Sequence, residues 1–255
     1  MAGLRVERLG QIATLVIENP GKRNAVSADM WQQFEPLLAE LAADDAVKVV
    51  VVRGAGQDFS AGADIADLDR ILAGPGDGGV MTQGEDALAA FPKPTIAAID
   101  GYCVGGGWEI AGACDIRIAS ERSTFGITPS RLGIVYPVSG IRRLVEVAGP
   151  ATAKYLLFSG ELVPTATALD LGLVSKVLPT ATFWDEVQAF AELLASRSQL
   201  SIHAMKQLIG AIDDPSVAAL AERWQDELSG DRAIGVRAFL GKYPPEFTWG
   251  RESGD

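Results

Sequence analysis

Histidine and cysteine are nearly missing from this sequence. The 255 residues include one histidine, His203, and two cysteines, Cys103 and Cys114. A histidine-rich metal site is therefore excluded, and carboxylates alone would have to supply one, so no metal is expected. Two cysteines make no disulfide framework; they read as reduced thiols, as expected of a cytoplasmic protein. Long apolar runs are missing too. The longest, around "VKVVVV", is far too short to cross a bilayer. The opening "MAGLRVERLG" lacks the apolar segment of a signal peptide. Positive charge is scarce: 22 Lys and Arg stand against 33 Asp and Glu, a net charge of -11. That balance argues against nucleic acid and anionic membrane as partners. An anionic ligand would have to be held by backbone N–H groups or a few placed cations.

What is present is apolar and patterned. Hydrophobic residues make up 48%, which describes a globular protein with a sizeable core, either one large domain or a main domain with a smaller appendage. "LRVERLGQIATLVIE" alternates around a glycine turn and reads as a β-hairpin. Ser27 suits the N-cap of a helix over "ADMWQQFEPLLAELAAD". "VKVVVVRG" reads as a buried strand, followed by helix "EDALAAF", strand "TIAAIDG", helix "WEIAGAC" and strand "DIRIAS". Strands alternating with helices indicate an α/β fold with mostly parallel pairing, which periodicity alone would make doubly wound. From about Phe183 only amphipathic helices follow, suggesting a separate helical tail. "LAGPGDGGVMTQG", Leu72 to Gly84, reads as a mobile loop.

Two stretches share one design. In "VVRGAGQDFSAGADIADL" and "IAAIDGYCVGGGWEIAGA" a strand ends, glycines turn the chain and a helix begins. Glycine lets a backbone approach a ligand closely, and a helix N-terminus offers unpaired N–H groups at a positive dipole end. Two such donors aimed at one point would form an oxyanion hole, a device that stabilises charge developing on a carbonyl oxygen. Glu109 follows in the first turn of the second helix.

"FSAGADI" together with "GYCVGGGWE" resembles the paired oxyanion motifs of the crotonase superfamily, the enoyl-CoA hydratase/isomerase family. The resemblance runs along essentially the whole chain, through "NPGKRNAVS", "PKPTIAAIDG", "CDIRIAS", "FSGELVPTATALDLGLVSKV" and "FLGKYPPEF". It implies a spiral of ββα units in two nearly perpendicular sheets, with residues 1–195 as the core and 196–255 as a helical region forming trimers or hexamers. It also implies an acyl-CoA thioester as substrate, with coenzyme A part of that substrate and no separate cofactor. By position, the oxyanion donors would be the N–H groups of Ala63 and Gly106, with Glu109 as acid/base. The flanking Ala61, Asp64, Ile65 and Gly105 would lie at the substrate, and Lys22, Arg23 and Lys242 could meet coenzyme A phosphates.

One block departs from the hydratases. In "TFGITPSRLGIVYPVSG" Pro129 stands where their second glutamate is expected, so the two-carboxylate water clamp is missing and hydration by Glu109 alone should be slow. The same block is similar to the "TPxxLGxxYxxxGI" pattern of methylmalonyl-CoA decarboxylase-type members, in which Tyr136 would contact a substrate carboxylate or deliver a proton. Those members carry a histidine where Ala63 stands, so that match is partial. A decarboxylase, an isomerase and a catalytically degenerate acyl-CoA-binding protein thus stand beside a hydratase as readings.

Overall fold

Among the described residues the alternation builds two sheets, with a helix after six of the nine strands. A computed structural model describes residues 2–249, apart from 74, 75 and 228. Strands β1 (Gly3–Leu9) and β2 (Ile12–Glu18) form the expected hairpin, pairing Leu9 with Ile12 across the turn. Helix α1 (Ala28–Ala43) starts where Ser27 accepts a bond from the Met30 N–H, as its N-cap role requires. Strand β3 (Val49–Gly54), helices α2 (Leu68–Leu72) and α3 (Gly79–Ala89), and strands β4 (Thr95–Ile99) and β5 (Tyr102–Val104) follow. After them come α4 (Gly106–Ala113), β6 (Ile116–Ser120), β7 (Thr124–Gly126), α5 (Pro129–Leu132) and α6 (Val138–Ser159). Then come β8 (Leu162–Pro164), α7 (Thr165–Asp170), β9 (Lys176–Leu178) and four helices: α8 (Phe183–Ala195), α9 (Gln199–Gly210), α10 (Val217–Glu227) and α11 (Ser229–Gly241).

The larger sheet runs in the order β1-β2-β3-β4-β6-β9, parallel except for the β1–β2 hairpin. A second sheet, β5-β7-β8, holds the short strands that lead away from it. Periodicity alone had suggested one doubly wound sheet; two sheets arise because short strands such as Tyr102–Val104 pair with each other rather than with β4. The central strands are buried on both faces, so they read as continuous Val and Ile runs.

One face of the large sheet packs against α1, α3, α4 and α6, with Trp31, Phe34, Leu88 and Leu144 in that core. The opposite face is covered by α8, whose Phe183, Val187 and Ala191 meet Ile12, Val49 and Ile96. Helix α8 therefore belongs to the sheet and not to a separate tail. Beyond it, α9 and α10 share a small cluster of Leu200, Ala204 and Trp224. His203 sits there edge-on to Trp249, its ring centroid 5.0 Å away, and burial lowers its pKa to about 4. It is a neutral packing residue.

The expected loop from Leu72 to Gly84 is also corrected. Residues 74 and 75 lie outside the described residues, but α3 already begins at Gly79. Gly84 stays helical because α3 presses on α1: a methyl at that position would come 3.0 Å from the Trp31 ring. Close packing outweighs glycine's poor helix propensity.

Candidate active site

The first glycine turn is tied down on both sides of one free N–H group. Buried Ser60 donates its hydroxyl to the Asn24 carbonyl and accepts from the Gly62 N–H. The Ala61 N–H donates to the Arg23 carbonyl, the Val26 N–H to Gly62, and the Asp64 N–H to Val26. Asp64 then caps the short turn Ile65–Asp67 by accepting from the Ala66 N–H, and pairs with Lys22 at 2.5 Å. Between these bonded neighbours the Ala63 N–H is donated to nothing among the described residues.

The second turn leaves a matching donor. Gly105 adopts φ 56° and ψ -119°, a conformation that requires glycine, and its N–H bonds the Gly126 carbonyl. Helix α4 begins at the next residue, so the Gly106 N–H is one of the unpaired donors of a helix start. The two donors lie side by side. A methyl added at Gly106 would come 3.0 Å from the Ala63 nitrogen, and one added at Gly62 would come 3.1 Å from the Gly106 nitrogen. They border a small cavity, about 60 Å³, which Ala61, Ile65, Gly105, Pro129 and Tyr136 also line. Pro129 opens α5 and brings no carboxylate to that wall.

The structure thus gathers seven of the twelve site residues expected from the sequence around one cavity, and leaves five off its wall. Asp64 supports the first turn from outside. Arg23 lies with its guanidinium over the Tyr102 ring, 4.7 Å from the centroid. Lys242 follows α11 in a left-handed conformation and is not brought to the cavity within one chain. Lys22 is held by its ion pair with Asp64, and Glu109 is the fifth.

Glu109 is 2% exposed and points to the first turn of α6. A methyl at Gly140 would come 2.1 Å from its Oε2, so only glycine there leaves room for the carboxyl. Neither Glu109 oxygen accepts a bond from any N–H or hydroxyl among the described residues. Burial, and then contact with the carboxyl of Glu85, push its pKa well above the usual carboxylate range; the Arg143 guanidinium pulls the other way. The Tyr136 hydroxyl is buried and also unpartnered. Its pKa is raised, first by burial and then by the charges of Glu109 and Glu85.

Gly140→Ala is expected to force the carboxyl aside, at a cost of about 1–3 kcal/mol for overpacking. Chemical denaturation measures this, and an unchanged midpoint would contradict the packing described.

Glu85 is the residue that sequence reasoning missed. It is 0% exposed, in α3. Its signal was present: Met81, Glu85 and Leu88 recur at i, i+4 and i+7 and are all buried. A carboxylate in an apolar stripe requires a polar reason.

A parallel-rich sheet of an α/β protein thus brings two free N–H groups to one cavity. Comparison with known proteins gives the family. The model of the enoyl-CoA hydratase/isomerase family matches residues 7–249. The chain is 32% identical to the 2,3-dehydroadipyl-CoA hydratase of Escherichia coli, over 97% of this chain and 99% of that one. It is 33% identical to the short-chain-enoyl-CoA hydratase of Clostridium acetobutylicum, over 80% and 79%. A crystal structure of an enoyl-CoA hydratase/isomerase family member superposes with a TM-score of 0.94 at 38% identity, covering 98% of this chain and 97% of that chain. The chain belongs to the enoyl-CoA hydratase/isomerase family, the crotonase superfamily, and is a hydratase-like enzyme of acyl-CoA thioesters.

Proposed function

We propose that the chain hydrates a 2-enoyl-CoA thioester through an enolate held by the Ala63 and Gly106 N–H groups. The observation that carries this reading is the pair of free, adjacent donors beside a cavity. Water oxygen bonds C3, the C2=C3 π electrons pass to the thioester oxygen, and the enolate then takes a proton at C2. Fixed donors stabilise the oxygen charge without reorganising as it forms. Glu109 exchanges the protons, accepting one from the attacking water and returning one to C2. Tyr136 contacts the acyl group from the cavity wall. The names of the relatives support hydration over decarboxylation. Assembly through residues 196–255 into a trimer or hexamer is supported by the exposed Ile209, Phe239 and Leu240.

Purified protein offered crotonyl-CoA, a 3-enoyl-CoA and methylmalonyl-CoA separates the readings. Loss of the enoyl absorbance of crotonyl-CoA is the expected result. Release of CO2 from methylmalonyl-CoA without hydration would transfer the site to a decarboxylase. Binding of all three without turnover would make the protein a degenerate acyl-CoA binder.

A further inference from the structure

Three elements bring a second carboxyl group to Glu109, from a helix far from the turn that ends in Pro129. Helix α3 supplies Glu85, α4 supplies Glu109, and the first turns of α6 touch both. The Ser139 hydroxyl donates to Glu85 Oε1 at 3.0 Å, and Arg143 Nη1 lies 3.3 Å from Glu85 Oε2. Between those two α6 residues, Gly140 packs on the Glu109 carboxyl. Both carboxyls are almost fully removed from water.

Two buried carboxylates in contact repel, and neither can donate to the other. A carboxylic acid against a carboxylate makes a strong hydrogen bond. Glu85 has a hydroxyl donor and a guanidinium for its charge, whereas Glu109 has neither. The charged and titratable groups facing this pair are Arg143 and Tyr136 on the α6 side and Asp86, which also pairs with Arg143, on α3. Arg143 is shared with the exposed Asp86, so it offsets at most one charge on the buried pair, which leaves a place for one proton.

Resting on the hydratase reading, we infer that Glu85 and Glu109 form a one-proton dyad in which Glu85, anchored by Ser139 and Arg143, serves Glu109 as proton store. At rest the Glu109 hydroxyl donates to ionised Glu85. When Glu109 accepts a proton from the attacking water on one oxygen, the proton on its other oxygen passes to Glu85. When the enolate collapses, Glu109 delivers a proton to C2 and Glu85 returns the stored one. The substrate gains one H and one OH, and both carboxyls end as they began. The second carboxyl that hydratases place at position 129 is thus supplied from α3. Glu85 is a positioning residue, since it acts through Glu109 and does not line the cavity.

The test is Glu85→Gln in the full-length protein, with Ser139→Ala beside it. A dyad that works with one proton gives a bell-shaped pH profile of kcat/KM. Glu85→Gln removes the store, so its alkaline limb should vanish and kcat should fall about 100-fold, as for other positioned acid–base groups. Ser139→Ala withdraws a donor from ionised Glu85, so the last proton is held more tightly and the alkaline limb should move to higher pH. That variant keeps the test open if the glutamine protein fails to fold by circular dichroism. The infrared carbonyl band of a protonated carboxyl at neutral pH, read against Glu109→Gln, needs no turnover. It should be present in the wild type, absent in Glu109→Gln, and shifted in Glu85→Gln, where burial keeps the proton on Glu109 but its charged acceptor is gone. A band missing from the wild type, a band unshifted in Glu85→Gln, or pH profiles that coincide in all three proteins, overturns the dyad. A wild type that hydrates no thioester but shows the band overturns the hydratase reading and leaves the dyad standing.

Discussion

Glu109→Gln is expected to lower kcat for crotonyl-CoA hydration by about 100- to 10,000-fold, the range for loss of a positioned acid–base group. Glutamine keeps the volume that α6 packs against and lacks a transferable proton. The change also separates chemistry from folding. The Glu109 carboxyl is held well above its usual range, chiefly by burial, so the folded chain keeps a proton that the unfolded chain releases at lower pH. With the native state binding more protons, stability falls as pH rises from the ordinary carboxylate range toward the raised value. A neutral glutamine escapes that loss. The variant should therefore be as stable as the wild type at acid pH and more stable in the alkaline direction, by thermal midpoint, while turning over far more slowly. Turnover surviving the substitution would remove Glu109 from the proposed mechanism.

Gly106→Ala is expected to damage catalysis while leaving the fold in place. Its Cβ would stand 3.0 Å from the Ala63 nitrogen and 3.3 Å from Trp31, within the space between the two free donors. Gly106 does not have a positive φ, so alanine suits the backbone and helix α4 should form. The methyl would instead hold the thioester oxygen away from one N–H. Loss of a single donor of this kind typically costs about 100- to 1,000-fold in kcat. Steady-state kinetics on crotonyl-CoA, with circular dichroism as a check on folding, makes the comparison. A kcat equal to the wild type would mean that the thioester oxygen does not sit between Ala63 and Gly106.

The parts of this protein that were legible in sequence are those set by local rules. The β1–β2 hairpin follows from alternation around a glycine, and α1 starts where Ser27 can cap it. The two glycine turns were legible because a strand, a glycine cluster and a helix start lie within a few residues of each other. What failed depended on neighbours distant in the chain. The stretch from Leu72 to Gly84 is glycine-rich and reads as loop, yet its part from Gly79 on is helical, with Gly84 packed on Trp31. The chain after Phe183 reads as a tail, yet α8 covers a face of the sheet.

The sequence alone determined the family, the alternating architecture and the two turns that carry the free N–H groups, because each is written in contiguous residues. Only the tertiary structure decided that those N–H groups lie side by side, and that the carboxyl beside Glu109 comes from Glu85 rather than from position 129. Glu85 and Glu109 are joined by the packing of α3, α4 and α6. No spacing along the chain encodes which helix faces another across a buried core, since that depends on how all of their apolar stripes fit together.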